Sequence, residues 1–294
     1  MRVYITPPRV ESRSISRIAT ELQRHAPASI EFVRDRDAAD LVVLHVIGRR
    51  DQMLRAAERC RARGQAYVVN QYCLRSTQRP HTSDWTSLWA DARCVWSYYD
   101  LPRWVRDDDG SFTFSSFYHS PLGADASVFL ARKPTPPPFV VGMTGYTPGV
   151  ECLREVVDAA REVGGRVFHL GAGIPYGADI TTAVTNLSDH ELASYYAQCK
   201  YVSALRRVEG FELPAAEALL SGTRPIMFDR SHYRQWFAPF ARFIPEQSDR
   251  QSVTAYLQDI LRSDPMPITT EERVMIAERF NWRTISAAYW KRCA

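Results

Sequence analysis

The chain has 294 residues, 45% hydrophobic and 24% charged, with a net charge of +4, which fits a soluble globular protein with room for two modest domains. No apolar run nears the roughly 18–20 residues that span a bilayer, and the start, Met1-Arg2-Val3-Tyr4-Ile5-Thr6, reads as a strand and not as a signal peptide. The six cysteines are scattered without a C-x-x-C pair, which argues against a zinc or disulfide framework and for a reducing cytoplasm.

The first half alternates strand-like and helix-like segments. Residues 2–6 form a short strand broken by Pro7-Pro8; Ser12 or Ser14 then caps a helix whose Ile15, Ile18, Ala19 and Leu22 keep helical spacing. Residues 30–33 are a second strand. Residues 39–47 are nearly continuous apolar, as in a strand buried on both faces of a parallel sheet. Residues 51–63 form a helix closed by Gly64, and residues 66–70 and 93–97 are further strands. This alternation predicts a doubly wound α/β sheet, whose ligands bind beyond the carboxyl ends of its strands. Asp107-Asp108-Asp109-Gly110 reads as a turn or solvated loop, because Asp-Gly is a turn signal, and no metal is assigned to it.

Ser120-Pro121-Leu122-Gly123-Ala124-Asp125, followed by Phe129, reads as a loop, and Pro134-Thr135-Pro136-Pro137-Pro138 as a stiff interdomain linker. A second α/β run follows. Residues 139–142 form a strand entering Gly145-Tyr146-Thr147-Pro148-Gly149. A helix from 150 to about 163 and a strand over 167–170 come next. Ser188 with Glu191 makes a capping box for a helix through Tyr195, Tyr196 and Cys199. Residues 201–205 are the strand that delivers Arg206-Arg207-Val208-Glu209. Residues 252–261 and 270–279 are amphipathic helices, and Phe280-Asn281-Trp282-Arg283 begins a last one. The chain shows no convincing internal repeat.

The most informative stretch is Glu209-Gly210-Phe211-Glu212-Leu213-Pro214-Ala215-Ala216-Glu217, continuing to Ser221-Gly222-Thr223-Arg224-Pro225-Ile226. Gly210 permits a close approach of backbone to a ligand. Pro214 suits the first turn of a helix, which places Glu209 on a loop and Glu217 about one turn inside the helix. Free helix-start amides between them suit an anion or a sugar hydroxyl. Two glutamates alone would be ordinary solvated carboxylates. The whole string resembles the Glu-x7-Glu signature of retaining glycosyltransferases with the GT-B fold, especially glycosyltransferase family 4, usually E-G-F-G-L-P-x-x-E-A-M-A-x-G-x-P-V-I. Glu212 stands where a glycine is common. Pro121 to Phe129 is similar to the P-x-G-x-D-x-x-x-F segment that ends the N-terminal domain of that family.

The resemblance implies two Rossmann-like domains facing a central cleft. The first would be an acceptor-side domain, 1–134, and the second a nucleotide-sugar domain, 139–281; the C-terminal helix, 282–294, would cross back to the first. It implies a metal-independent, hexosyltransferase-like, retaining transfer from a UDP- or GDP-linked sugar to a hydroxyl of a glycan, protein or modified nucleic acid. No cofactor is implied beyond the donor itself. Glu209 would contact the donor sugar on its reacting face, amides at Gly210 and Phe211 would hold the sugar, and Glu217 would accept from the ribose hydroxyls. The family usually clamps the diphosphate with an Arg after the first-loop glycine and a nearby Lys. Here that loop begins at Gly145 and holds neither, so Arg206 or Arg207 is the candidate replacement. A histidine of the first domain often lies near the donor sugar. His45, ending a buried strand, is the best placed, with His81 and His119 behind it; Arg79, His81, Trp85 and His119 are candidates for the acceptor side. The alternative is a non-catalytic nucleotide-sugar-binding or interaction module of the same fold.

Overall fold

The computed structural model describes residues 1–5, 13–47, 50–74, 85–103, 112–129, 134–145, 147–171, 177–208, 210–246 and 249–293. The chain divides into two compact units, Met1–Leu122 with Trp282–Ala294, and Gly123–Asn281. The division falls at Leu122, ahead of the proline run at 134–138.

The first unit is built on six parallel strands in the order β2-β1-β3-β4-β5-β6: β1 (Arg2–Ile5), β2 (Glu31–Phe32), β3 (Leu41–Val46), β4 (Ala66–Gln71), β5 (Cys94–Ser97) and β6 (Phe117–His119). The apolar run predicted to be doubly buried is: every residue of β3 is buried. Helices α1 (Arg13–Arg24), α2 (Arg50–Ala62) and the short α3 (Thr86–Trp89) belong to this unit. So does the C-terminal helix, α10 (Trp282–Cys293). Trp290 Nε1 donates to the Leu22 carbonyl (2.8 Å), and Tyr289 Oη donates to Asn70 Oδ1 (3.1 Å), so α10 is tied to both α1 and β4.

The second unit also has six parallel strands, in the order β12-β11-β10-β7-β8-β9. They are β7 (Phe139–Thr144), β8 (Val167–Leu170), β9 (Thr181–Val184), β10 (Cys199–Ser203), β11 (Arg224–Phe228) and β12 (Arg242–Ile244). Its helices are α4 (Leu153–Glu162), α5 (Asp189–Ala197), α6 (Leu213–Leu220), α7 (Ser231–Phe237), α8 (Arg250–Arg262) and α9 (Thr270–Arg279). Ser188 caps α5 in the predicted capping box with Glu191. The sheet is covered by α4 and α8 through Val141, Val156, Val157, Val253 and Leu257, all essentially unexposed. Each such side chain contributes about 1.5–3 kcal/mol by leaving water.

The strand order places the site. The chain starts this sheet at β7, winds outward through β8 and β9, then returns to β10 on the other side of β7. The reversal between β7 and β10 is a topological switch point, where the loops leaving adjacent strands splay apart and open a crevice at the carboxyl ends. Those two loops carry Gly145 and the Arg206–Glu212 stretch.

Candidate active site

Gly145 follows β7 with φ +140°, a conformation open to glycine and strained for other residues. A Cβ there would lie 2.5 Å from the Glu151 carboxylate carbon, so glycine is needed for space as well. The Gly145 carbonyl is held by His169, whose Nε2 lies 3.0 Å away; donating to a carbonyl requires the proton on Nε2. Burial lowers the His169 pKa, which keeps the ring neutral in that role. Glu151, 7% exposed, folds back to accept from the Thr147 amide (2.6 Å).

Across the switch point, β10 ends at Ser203 and the chain leaves through Arg206 and Arg207. Both arginines are already paired. Arg206 donates to Glu151 Oε1 (3.0 Å), Glu212 Oε2 (3.1 Å) and Thr144 Oγ1 (3.3 Å). Arg207 lies 3.6 Å from Glu155 and over the Phe228 ring, 5.5 Å from its centroid. The sequence offered these two as candidate phosphate ligands; it could not show that carboxylates face them.

Gly210 is buried, and Phe211 pins the loop by packing its ring against Phe237 (5.2 Å, tilted) and edge-on to Phe280 (6.0 Å). Glu212 is the N-cap residue of α6 in an extended conformation, and its buried carboxylate receives Arg206 and the Tyr233 hydroxyl (3.4 Å). Pro214 occupies the first turn, as predicted. Glu217 follows one turn on, 3% exposed, with Oε2 accepting from the Tyr196 hydroxyl at 2.8 Å. The Tyr196 ring packs on Phe129 (6.3 Å), so the second sequence landmark ends as packing behind the partner of Glu217. Sequence reasoning missed Tyr196, His169 and Glu151 as parts of this site. For Glu151 the signal was present, a glutamate six residues after the loop glycine at the start of a helix.

Glu209, Arg79 and His81 lie outside the described residues, as does Asp107-Asp108-Asp109. Among the described residues no group of three or more His, Cys, Asp or Glu is placed to hold a metal ion. In the first unit, His45 sits near the carboxyl end of β3 with Nδ1 3.0 Å from the Tyr72 hydroxyl. Its Nε2 is buried without a hydrogen-bond partner among the described residues. Desolvation lowers its pKa to about 4, so it is neutral at neutral pH. His119 is half-buried, with Nε2 3.3 Å from the Tyr98 carbonyl and its ring stacked on Phe117. Trp85, expected on an acceptor-facing surface, is 2% exposed and donates its indole N–H to the Leu74 carbonyl (3.3 Å). It is a core residue, since a large aromatic buries its whole ring once its one polar atom finds a backbone acceptor.

No protein-family model matches the chain, and no curated protein is similar to it in sequence. Solved structures are similar over essentially the whole length. A sucrose-phosphate synthase from Thermosynechococcus elongatus matches with a TM-score of 0.70 at 13% identity, covering 99% of this chain and 97% of that one. The Anabaena protein HepE in complex with UDP matches with a TM-score of 0.71 at 9% identity, covering 99% and 98%. AviGT4, a glycosyltransferase involved in avilamycin A biosynthesis, matches with a TM-score of 0.63 at 15% identity, covering 100% and 97%. The two six-stranded parallel α/β units thus form the GT-B fold of these glycosyltransferases. No described helix is long and apolar enough to cross a membrane.

Proposed function

We propose that the chain is a retaining glycosyltransferase that moves a hexose from a nucleoside-diphosphate sugar, UDP-linked before GDP-linked, to a hydroxyl of a glycan, protein or modified nucleic acid. The observation that carries the reading is the placement of the Gly145 loop and the Glu209–Glu217 stretch on adjacent strands at the switch point of the second sheet. Structures similar to this one hold UDP and, in the case of HepE, UDP-glucose, which favours uridine as the base.

In this reading Glu217, oriented by Tyr196, accepts from the ribose hydroxyls. The amides of Gly210 and Phe211, fixed by the packing of the Phe211 ring on Phe237 and Phe280, hold the sugar, and Glu209 acts on its reacting face. Arg207, whose side chain is 24% exposed, faces the charge that develops on the leaving diphosphate. The attacking hydroxyl enters on the side the phosphate leaves, so no protein nucleophile is needed and no metal is assigned. In this reading the protein works in a reducing compartment, the cytoplasm, a reading that the scattered, unpaired cysteines support.

A second reading, a nucleotide-sugar-binding module without turnover, draws on the pairing of Arg206 and Arg207 with carboxylates. Thermal unfolding with UDP-, GDP-, ADP- and TDP-sugars, repeated with Glu217→Ala, tests both. A ligand that binds only the native state at about 100 times its Kd adds about 2.7 kcal/mol. The expected result is stabilisation by a UDP-sugar that Glu217→Ala abolishes, with slow donor hydrolysis lost in Glu209→Ala. Stabilisation without hydrolysis or transfer selects the module. No stabilisation by any donor, with no hydrolysis, overturns both.

A further inference from the structure

Arg206 and Glu212 are six residues apart, and their ion pair closes the intervening chain on itself. That short loop holds Glu209. The same guanidinium reaches Glu151 on the turn before α4 and Thr144 at the end of β7, so one side chain joins the segments that follow these two strands. Its surroundings are those of a fixed element. Glu212 is 1% exposed, Glu151 is 7% exposed, and the Arg206 side chain is 20% exposed. Glu151 is itself fixed by the Thr147 amide, and Glu212 by the Tyr233 hydroxyl. With two carboxylates on one guanidinium, the positive charge of Arg206 is already engaged within the protein, which makes it a poor place for a further anion such as a diphosphate.

We infer that Arg206 is a positioning residue of the transfer reaction. It closes the Arg206–Glu212 loop, sets the position of the chain on both sides of residue 209, and does not bind the donor phosphates itself. Glu212 is its obligatory partner: a glycine at that position offers no side-chain carboxylate, so this closure is a property of this chain and not of the signature it resembles. The inference rests on the glycosyltransferase reading for its catalytic consequence, and on the ion pairs alone for its structural one.

The test compares the wild-type chain with Arg206→Gln, Glu212→Gln and the double variant. Amide hydrogen exchange over residues 204–213 is measured without ligand, and donor hydrolysis with a UDP-sugar gives kcat and KM. Loop exchange should rise in either single variant and rise no further in the double. A displacement of about 1 Å at the reacting centre costs about 100-fold in rate, so kcat should fall by that order in all three while the donor KM stays within about threefold. A raised donor KM with unchanged kcat in Arg206→Gln, unmatched by Glu212→Gln, would make Arg206 a phosphate ligand and overturn the inference. So would unchanged loop exchange in Arg206→Gln. If the wild-type chain neither binds nor hydrolyses any nucleotide sugar, the transferase reading fails, and the exchange measurement still decides whether Arg206 closes the loop. Should Arg206→Gln not fold, Arg206→Lys keeps the charge but lacks the planar fork that bridges two carboxylates, and it should show the same pattern of kcat loss and loop exchange.

Discussion

Tyr196→Phe removes one oxygen atom and isolates the support of Glu217. The hydroxyl donates to Glu217 Oε2 at 2.8 Å, and both groups are buried. The ring contacts with Phe129 (6.3 Å) and Tyr195 (5.2 Å) survive the change, so no cavity of consequence opens. A hydrogen bond to a charged group is worth about 1.5–3 kcal/mol, and here its loss leaves a buried carboxylate short of a donor. At about 2–4 °C per kcal/mol for a unit of this size, the melting temperature should fall by about 3–12 °C. If Glu217 binds the ribose, loss of its orientation should also weaken donor binding by about tenfold, near 1.4 kcal/mol. Differential scanning fluorimetry reads the first effect and donor titration the second. Tyr195→Phe is the control: its hydroxyl donates to the backbone carbonyls of Met143 and Phe168, so it should lower the melting temperature with donor affinity kept. A Tyr196→Phe variant that melts within about 1 °C of the parent would refute the claim that this bond holds Glu217.

Two further outcomes follow from buried charge. The Arg224 guanidinium, in a residue 5% exposed, donates to the carbonyls of Phe240, Met266 and Pro267 and to Glu272. Arg224→Ala strands those acceptors and should cost about 3–5 kcal/mol in urea unfolding, with a loss below about 1 kcal/mol counting against the network. His45 is neutral in the folded chain because burial holds its pKa at about 4 against 6.5 in the unfolded chain. The unfolded state therefore binds the extra proton first, so stability is intact above pH 6.5 and falls as the pH drops from there toward 4, by at most about 3 kcal/mol. A nuclear magnetic resonance titration of His45 with a midpoint near 6.5 would remove the cause, and His45→Phe should flatten that part of the stability profile.

The centres of both sheets were legible, and of their edge strands only Glu31–Phe32 was. Residues 39–47, 66–70 and 201–205 announce buried strands because both faces must be apolar. The strands that escaped notice are Phe117–His119, Thr181–Val184 and Arg242–Ile244, each at the rim of a sheet. An edge strand packs on fewer neighbours and carries no continuous apolar run: no residue of Thr181–Val184 is buried. Short strands of three or four residues also give alternation too little length to register. The Pro121–Phe129 segment was legible as a landmark and not as packing, since a phenylalanine in a loop gives no sign that its ring will lie on Tyr196 in another helix.

At the site, the signature located the loop and helix, and the fold put them at the switch point. What the sequence could not supply was pairing. Arginines at 206 and 207 read as spare positive charge beside a loop that lacks its usual bases. Glu212 read as a separate departure, a glutamate in a glycine's place. In the folded chain the two departures are one: Glu212 takes up Arg206, and Glu151 takes up the rest of the same guanidinium. A charge counted along the sequence is available to a ligand only if nothing nearer neutralises it, and of the two neutralising partners here one comes from 55 residues away. The consequence is testable in the opposite direction to a simple phosphate clamp. Where a clamp predicts that removing Glu212 should free Arg206 and tighten donor binding, a closed loop predicts that Glu212→Gln and Arg206→Gln fail alike, in turnover and not in affinity.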